Sequence, residues 1–510
     1  MPVINGDDNG NTLNGGAGDD VINGLGGNDT LNGNGGNDTL DGGAGVDQLF
    51  GGDGNDTLII ANMPTSDEVF DGGNDADTLL VMSAAGVLLN VPVGEIWSVG
   101  LGPVTLTSLE RLQFGSIAGS GLSVALPTSQ LGSGISEVVG GDGRDTLAII
   151  AGTAGTYAIP DFVLTNWNSS ADPLNPGDTI ALIGSGSGSF TLNAATGHAG
   201  VESLTGGAGD DTLNGTDGSE ILNAGAGINT ITAGGGNDVL VVANVTPFGG
   251  ATTNLDYTGN VFDGGAGFDY LSVGGNVHFN GTLTSVEGVY FQPAFTATGA
   301  GTASQDEAYL EIAATSLPSN VSLRGQGTLV VDVASGASFD GTNYIFESGS
   351  DVTIGILGSS GNETIKGTSG NDIISGADGN DVLDGGGGLD TAYYGNAGSA
   401  VTVSLAVSGP QATGGAGTDT LTNFENLWGS DFNDVLTGNS GQNLIEGGNG
   451  NDTIDGGLGN DTAYYGHADA GVTVDLTISG AQNTVGAGTD MLISIENITG
   501  SGSNDTLTGD

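Results

Sequence analysis

The chain has 510 residues, 100 of them glycine, with 60 Asp+Glu against 4 Lys+Arg and a formal net charge of −56. So few cations exclude nucleic-acid binding and docking on anionic membranes, the lack of cysteine excludes disulfides and thiolate metal sites, and no apolar run is long enough to span a bilayer as a helix. With 37% hydrophobic and only 13% charged residues the chain is too apolar for a disordered acidic tail, so its carboxylates need counter-charge from outside the sequence.

From Gly6 the sequence runs in nine-residue blocks: GDDNGNTLN, GGAGDDVIN, GLGGNDTLN, GNGGNDTLD, GGAGVDQLF and GGDGNDTLI, ending at Ile59. Position six is Asn11, then Asp20, Asp29, Asp38, Asp47 and Asp56; position eight is Leu13, Ile22, Leu31, Leu40, Leu49 and Leu58. A fixed short period of this kind signals stacked coils. Glycine at positions one, two and four predicts a tight turn with positive φ. The closing triplet, such as Thr-Leu-Asn, predicts a short strand with its middle side chain inward. Successive turns then fall on opposite edges of a flattened coil. Asp20, Asp38 and Asp56 form one column, and Asp29 and Asp47 the other.

Further along, single blocks stand at 72–79 (Asp77) and 140–148 (Asp145), followed by a run at 206–241 with Asp211, Glu220, Asn229 and Asp238 at position six. Another single block, 264–272, carries Asp269. The run 358–393 carries Glu363, Asp372, Asp381 and Asp390, and 429–464 carries Asp434, Asn443, Asp452 and Asp461; the block at 500–508 carries Asp505. Between them lie segments rich in Val, Thr, Ile and Leu, cut by Gly-Ser-Asn turns, which read as strands. No window shows a capped helical period. Residues 389–428 recur at 460–499, 71 residues later. Each long segment ends in an apolar–Glu–x–apolar step containing Glu110, Glu202, Glu287, Glu425 or Glu496. That step reads as the entry strand of the next stack, its Glu capping or ligating the first turn. The fold class is all-β: a parallel β-roll or β-solenoid of glycine-rich turns, with longer β-rich coils or small β-sandwich inserts between, continuation of the coil being preferred.

Carboxylates stacked at the strand spacing of ~4.8 Å repel unless a cation lies between them. Carbonyl oxygens of the turn glycines Gly15, Gly24, Gly33, Gly42, Gly51, Gly376, Gly385, Gly447 and Gly456 add hard ligands. An oxygen-only, multidentate, flexible and anionic ligand set describes calcium better than magnesium. The candidate ligating side chains are therefore Asp20, Asp29, Asp38, Asp47, Asp56, Asp77, Asp145, Asp211, Asp238, Asp269, Asp372, Asp381, Asp390, Asp434, Asp452, Asp461 and Asp505, in multiple Ca2+ sites. The competing reading has them as solvated carboxylates that cap backbone amides without metal.

These blocks resemble the GGxGxDxUx nonapeptide of the RTX (repeats-in-toxin) family of haemolysin-type calcium-binding proteins. The resemblance implies a parallel β-roll with calcium held between turns by the position-six Asp and turn carbonyls. It further implies type I secretion from a Gram-negative bacterium and folding triggered by calcium at an extracellular or cell-surface location. Asn11, Asn229, Asn443, Glu220 and Glu363 depart from the pattern, so their turns are expected to bind calcium weakly or not at all.

On this basis 1–59 is a roll, 60–205 a β-rich segment with isolated turns, 206–241 a roll and 242–357 a β-rich segment with one isolated turn. Rolls follow at 358–393 and 429–464, with β-rich connectors at 394–428 and 465–499, and 500–510 begins a truncated roll. His198, His278 and His467 form no H-E-x-x-H pattern, and no G-x-S-x-G elbow occurs. The pairs Tyr393-Tyr394 and Tyr464-Tyr465 read as covers over the end of a roll. The expected function is non-enzymatic: a calcium-folded structural protein of surface-layer, matrix or adhesin type. The alternative is the non-catalytic repeat region of a larger type I-secreted toxin or hydrolase, because the sequence stops just inside a new block, without signal peptide or export segment. Expected partners are calcium ions, with a second copy of the chain or a cell-surface polysaccharide left open.

Overall fold

The structure, a computed structural model, describes residues 1–61, 67–82, 99–100, 105–115, 122–129, 134–141, 144–167, 177–196, 198, 201–243, 255–292 and 308–509. Parts of the segments 60–205 and 242–357, residues 142–143 of the block at 140–148, and Asp510 lie outside the described residues. The chain divides into two compact units. One comprises Met1–Thr252, Gly259–Ser272 and Gly281–Val286; the other comprises Thr253–Thr258, Val273–Asn280 and Glu287–Asp510. Among the described residues secondary structure is β apart from short 3-10 turns such as Ala314–Ser316.

In the first unit the closing triplets become strands with one inward residue. Val3–Asn5, Val21–Asn23, Thr39–Asp41 and Thr57–Ile60 pair in parallel, in the register Ile4↔Ile22↔Leu40↔Leu58. A second ladder, Thr12–Asn14, Thr30–Gly35, Gln48–Asp53 and Val69–Asn74, runs Leu13↔Leu31↔Leu49↔Phe70. Ile22, Leu31, Leu40, Leu49 and Leu58 are fully buried. A three-residue strand cannot hold itself in water; each coil is stable because its single apolar side chain is covered by the coils before and after it. This is the β-roll that the period of the sequence describes.

The segments between blocks add longer coils to the same kind of parallel stack. Thr78–Val81, Arg111–Phe114, Glu137–Val139 and Val163–Thr165 continue the first ladder. Thr146–Ala151, Thr179–Gly184, Val201–Thr205 and Glu220–Asn223 stack with Leu182↔Leu204↔Leu222 inside. Their longer apolar triplets, such as Leu147, Ala148 and Ile149, are buried throughout, which explains why these stretches look more hydrophobic than the blocks.

The second unit is built likewise. The long strand Ser322–Asp332 pairs with Ala308–Ala313 and Asp351–Leu357. From there Asp372–Ser375, Thr391–Tyr393, Asn426–Trp428, Leu444–Glu446, Thr462–Tyr464 and Asn497–Thr499 follow in parallel. Opposing ladders are Thr364–Lys366, Val382–Asp384 and Gly417–Thr422, and Val435–Thr437, Thr453–Asp455 and Thr489–Ile493. Among the described residues two antiparallel hairpins break the parallel rule. Gln411–Gly414 folds back on Gly417–Thr422, and Gln482–Asn483 on Thr489–Ile493. The first reversal is made by Gly414 and Gly417, at φ 77° and 106°, values that only glycine adopts without strain.

Candidate metal centres

The columns expected from the sequence are present, and they are buried rather than solvated. Asp20, Asp29, Asp38, Asp47, Asp56, Asp77, Asp145, Asp211, Asp238, Asp269, Asp372, Asp381, Asp390, Asp434, Asp452 and Asp461 are all buried, while Asp505 is half-buried. Inside a column each carboxylate accepts the amide of the position-six residue one lap earlier. Asp20 N–H donates to Asp38 Oδ1 at 2.7 Å, Asp38 to Asp56 at 2.7 Å and Asp56 to Asp77 at 2.8 Å. On the other edge Asn11 donates to Asp29 and Asp29 to Asp47. The same rung recurs in Glu220 to Asp238 and Asp238 to Asp269, in Glu363 to Asp381 and Asp372 to Asp390, and in Asp434 to Asp452 and Asn443 to Asp461. The blocks called isolated are therefore members of columns: Leu122 N–H donates to Asp145, and Asp145 N–H to Asp178.

Position one is glycine for a reason other than the one expected. Gly24, Gly33, Gly42 and Gly51 do not have positive φ. A Cβ built on Gly24 would overlap both Asp29 Oδ2 and the carbonyl oxygen of Gly42, and one on Gly33 would overlap Asp38 Oδ2 and the Gly51 carbonyl. The same crowding places the Gly33 carbonyl beside Asp20, Gly24 beside Asn11, Gly376 beside Glu363, Gly385 beside Asp372, Gly447 beside Asp434 and Gly456 beside Asn443. Carbonyl and carboxylate oxygens thus converge on each position-one glycine. The Gly15 carbonyl instead accepts the Asn34 side-chain amide at 3.0 Å.

The second carboxylate oxygen divides the turns into two kinds. Where a stack begins, the position-two amide points inward and donates to it: Gly16 to Asp20 at 2.6 Å, Gly207 to Asp211 at 2.7 Å and Thr368 to Asp372 at 2.6 Å. Gly141 does the same for Asp145, and Ser430 for Asp434. Deeper in each stack position two is left-handed, as at Leu25, Asn34, Gly43, Gly52, Gly73, Gly234, Ala377, Gly386, Gly448 and Gly457, and its amide is turned away. Asp29, Asp38, Asp56, Asp77, Asp238, Asp381, Asp390, Asp452 and Asp461 then each keep a buried Oδ2 with no hydrogen-bond partner among the described residues. Left-handed non-glycine residues such as Leu25 and Ala377 are strained.

Burial drives the ionisation of these groups. Loss of solvent, with a smaller contribution from neighbouring carboxylates, raises Asp56 and Asp77 to about 6, Asp381 and Asp390 to about 7, and Asp238 and Asp452 to about 8. A buried oxygen without a donor, beside further oxygens, fits a hard divalent cation, which would neutralise the stacked charge. No group of three or more His, Asp or Glu side chains suited to a metal exists among the described residues. Sites made of one carboxylate and backbone carbonyls have no need of such a cluster.

The departures from the pattern explain themselves. Asn229 accepts the Asp211 amide at 2.8 Å, while its own Nδ2 donates to the carbonyls of Ala226 and Gly227. Asn443 Nδ2 likewise donates to the Glu425 carbonyl at 2.7 Å. The carboxamide supplies in one group the acceptor and the positive partner that Asp lacks. Glu220 and Glu363 are met by Thr216 and Ser359 of their own turns.

One feature was misplaced in the sequence reading and two were missed. Glu110, Glu425 and Glu496 end columns by accepting the amides of Asp77, Asp390 and Asp461 at 2.8–2.9 Å, so these glutamates cap the last turn of one stack rather than the first of the next. Each follows a left-handed Ser108, Asn423 or Ser494, whose shift the extra methylene spans. Asp419 and Asp490, inside the connectors, accept the amides of Asp381 and Asp452. Finally, position five forms an outer ladder of opposite polarity: Asn37 N–H donates back to Asp19 and Asn55 back to Asn37. The recurrent Asn-Asp pair was the available signal for this.

The buried His198 side chain is held by Glu202, the register partner of Glu220, and by the Phe162 amide. Exposed His467 pairs with Glu446 at 2.9 Å beside Trp428.

The description "RTX calcium-binding nonapeptide repeat (4 copies)" matches residues 5–40, 24–58, 196–227, 214–243, 357–392 and 428–463, about a third of the chain. No curated protein matches the chain.

Proposed function

We propose, on the premise that this chain carries RTX calcium-binding nonapeptide repeats and is a calcium-binding repeat protein, that calcium is the switch that folds it. We read the folded form as a secreted or cell-surface structural component. The observation carrying this reading is the set of buried, donorless Oδ2 atoms in left-handed turns. Asp29, Asp38, Asp47, Asp56, Asp77, Asp238, Asp381, Asp390, Asp452 and Asp461 are the side chains assigned to hold the ions, each with turn carbonyls of its own stack. An assembly with a net charge of −56 lacks internal cations to offset such columns. Millimolar calcium, the range that loads extracellular modules, provides them outside a cell and not within it. Circular dichroism of the full chain tests this: β-signal develops on adding calcium and is lost on chelation. A spectrum indifferent to both would overturn the reading.

A further inference from the structure

We propose that the turns of Asp419 and Asp490 are sealed by hydroxyl groups in place of a cation, so that Tyr394 and Tyr465 set where a calcium column stops; this rests on the calcium reading above. By sequence alone these turns are excellent candidates for the ion. Residues 414–422 read GGAGTDTLT, with glycine at positions one, two and four, Asp419 at six and buried Leu421 at eight. Residues 485–493 read VGAGTDMLI around Asp490. The backbone agrees, because Gly417 and Gly488 have φ of 106° and 113° and press on the carbonyls of Gly379 and Gly450.

The second carboxylate oxygen is where they differ. Tyr394 Oη donates to Asp419 Oδ2 at 3.1 Å, and the Thr413 hydroxyl, shared with the Gly417 carbonyl at 3.0 Å, reaches the same oxygen at 3.2 Å. In the duplicate, Tyr465 Oη donates to Asp490 Oδ2 at 3.2 Å, and the Thr484 hydroxyl, shared with the Gly488 carbonyl at 3.0 Å, reaches the same oxygen at 3.0 Å. All six residues are buried. Burial and the adjacent carboxylate push both phenols well above their ordinary range, so the hydroxyls remain donors. Their protons occupy the lone pairs that a cation would need. The neighbouring strand also differs: Gln411–Gly414 and Gln482–Asn483 run antiparallel on the far side of these turns, where a further parallel coil would continue the column. Thr413 and Thr484 come from those reversals. The same three side chains recur at the 71-residue offset in two separate stacks, which makes the arrangement a repeated terminator.

Ion counting on the full chain at saturating calcium, paired with the calcium midpoint of the β-signal, tests this. Asp419→Asn with Asp490→Asn should leave the ion count unchanged, whereas Asp381→Asn with Asp452→Asn should lower it. Tyr394→Phe with Tyr465→Phe should add ions at the opened turns or raise the calcium midpoint several-fold, because two carboxylates lose their donors. A lower count in the Asp419/Asp490 variant overturns the proposal and leaves the calcium reading standing. So does a tyrosine variant unchanged in both count and midpoint. A wild-type chain that takes up no calcium overturns both.

Discussion

A position-six aspartate has two oxygens with separate tasks. Oδ1 belongs to the fold, since it accepts the amide of the coil before it, as Asp38 does for Asp20. On the proposed reading Oδ2 is left for the ion, since in the deeper turns no group among the described residues donates to it. Asp38→Asn therefore separates the tasks. The carboxamide keeps the Oδ1 acceptor and brings its own donor, as Asn229 does. The expected outcome is one site fewer by ion counting, with more β-signal surviving in chelator than in the wild type. Gly33→Ala is expected to behave oppositely. Its methyl would overlap Asp38 Oδ2 and the Gly51 carbonyl, costing ~1–3 kcal/mol as an overpacked core does. A rise in the calcium concentration needed for folding would report it.

At the level of the coil and its column, the proposed reading makes protons and calcium compete for the same oxygens. In metal-free solution burial raises Asp56, Asp77, Asp381 and Asp390 above the ordinary 3.8, and Asp238 and Asp452 up to about 8. The folded state then binds protons more tightly than the unfolded one. Stability without calcium is greatest below the unfolded pKa and falls as pH rises through the window from 3.8 to about 8. The β-signal in chelator should accordingly be strongest in mild acid and fade toward pH 8. With calcium present the dependence reverses, and the calcium midpoint should climb as pH is lowered through the same window. Chelator titrations at several pH values check both signs. The apolar rung is a separate contribution: Leu40→Ala, at a fully buried site, should cost ~2–5 kcal/mol and speed hydrogen exchange first in the coils of Val21–Asn23 and Thr57–Ile60, its paired neighbours.

These elements also show what could be read in advance. The alternation of Leu31, Leu40 and Leu49 with Asp29, Asp38 and Asp47 gave lap, register and column together, because each is a local property of nine residues. Position-one glycine was legible as necessary but not for the right cause, since the crowding comes from an aspartate five residues on and a carbonyl eighteen residues on. The Glu110 and Glu425 ends were misplaced by one stack, because a left-handed Ser108 or Asn423 shifts the register by an amount that no period announces. Tyr394 could not be connected with Asp419 at all. Twenty-five residues and a chain reversal separate them.

For the molecule as a whole, sixty carboxylates against four cations make the calcium-free chain a self-repelling polyanion. Small-angle scattering in chelator at low salt should give a radius of gyration approaching ~80 Å, the value for an unfolded chain of this length, and a much smaller one after calcium is added. Monovalent salt at ~1 M, which shortens the screening length to ~3 Å, should contract the chelated chain without restoring its β-signal, since screening cannot fill a coordination shell. In the second unit the ends of neighbouring columns are unlike: on one side a phenol meets Asp419, on the other Glu425 meets Asp390. Such a stack has handed stoppers, so its length is quantised. Excising a single nonapeptide would deliver each stopper to the wrong flank, whereas excising a full circuit of eighteen residues returns both to their own. Tandem growth of this sequence, natural or engineered, is thereby confined to even steps.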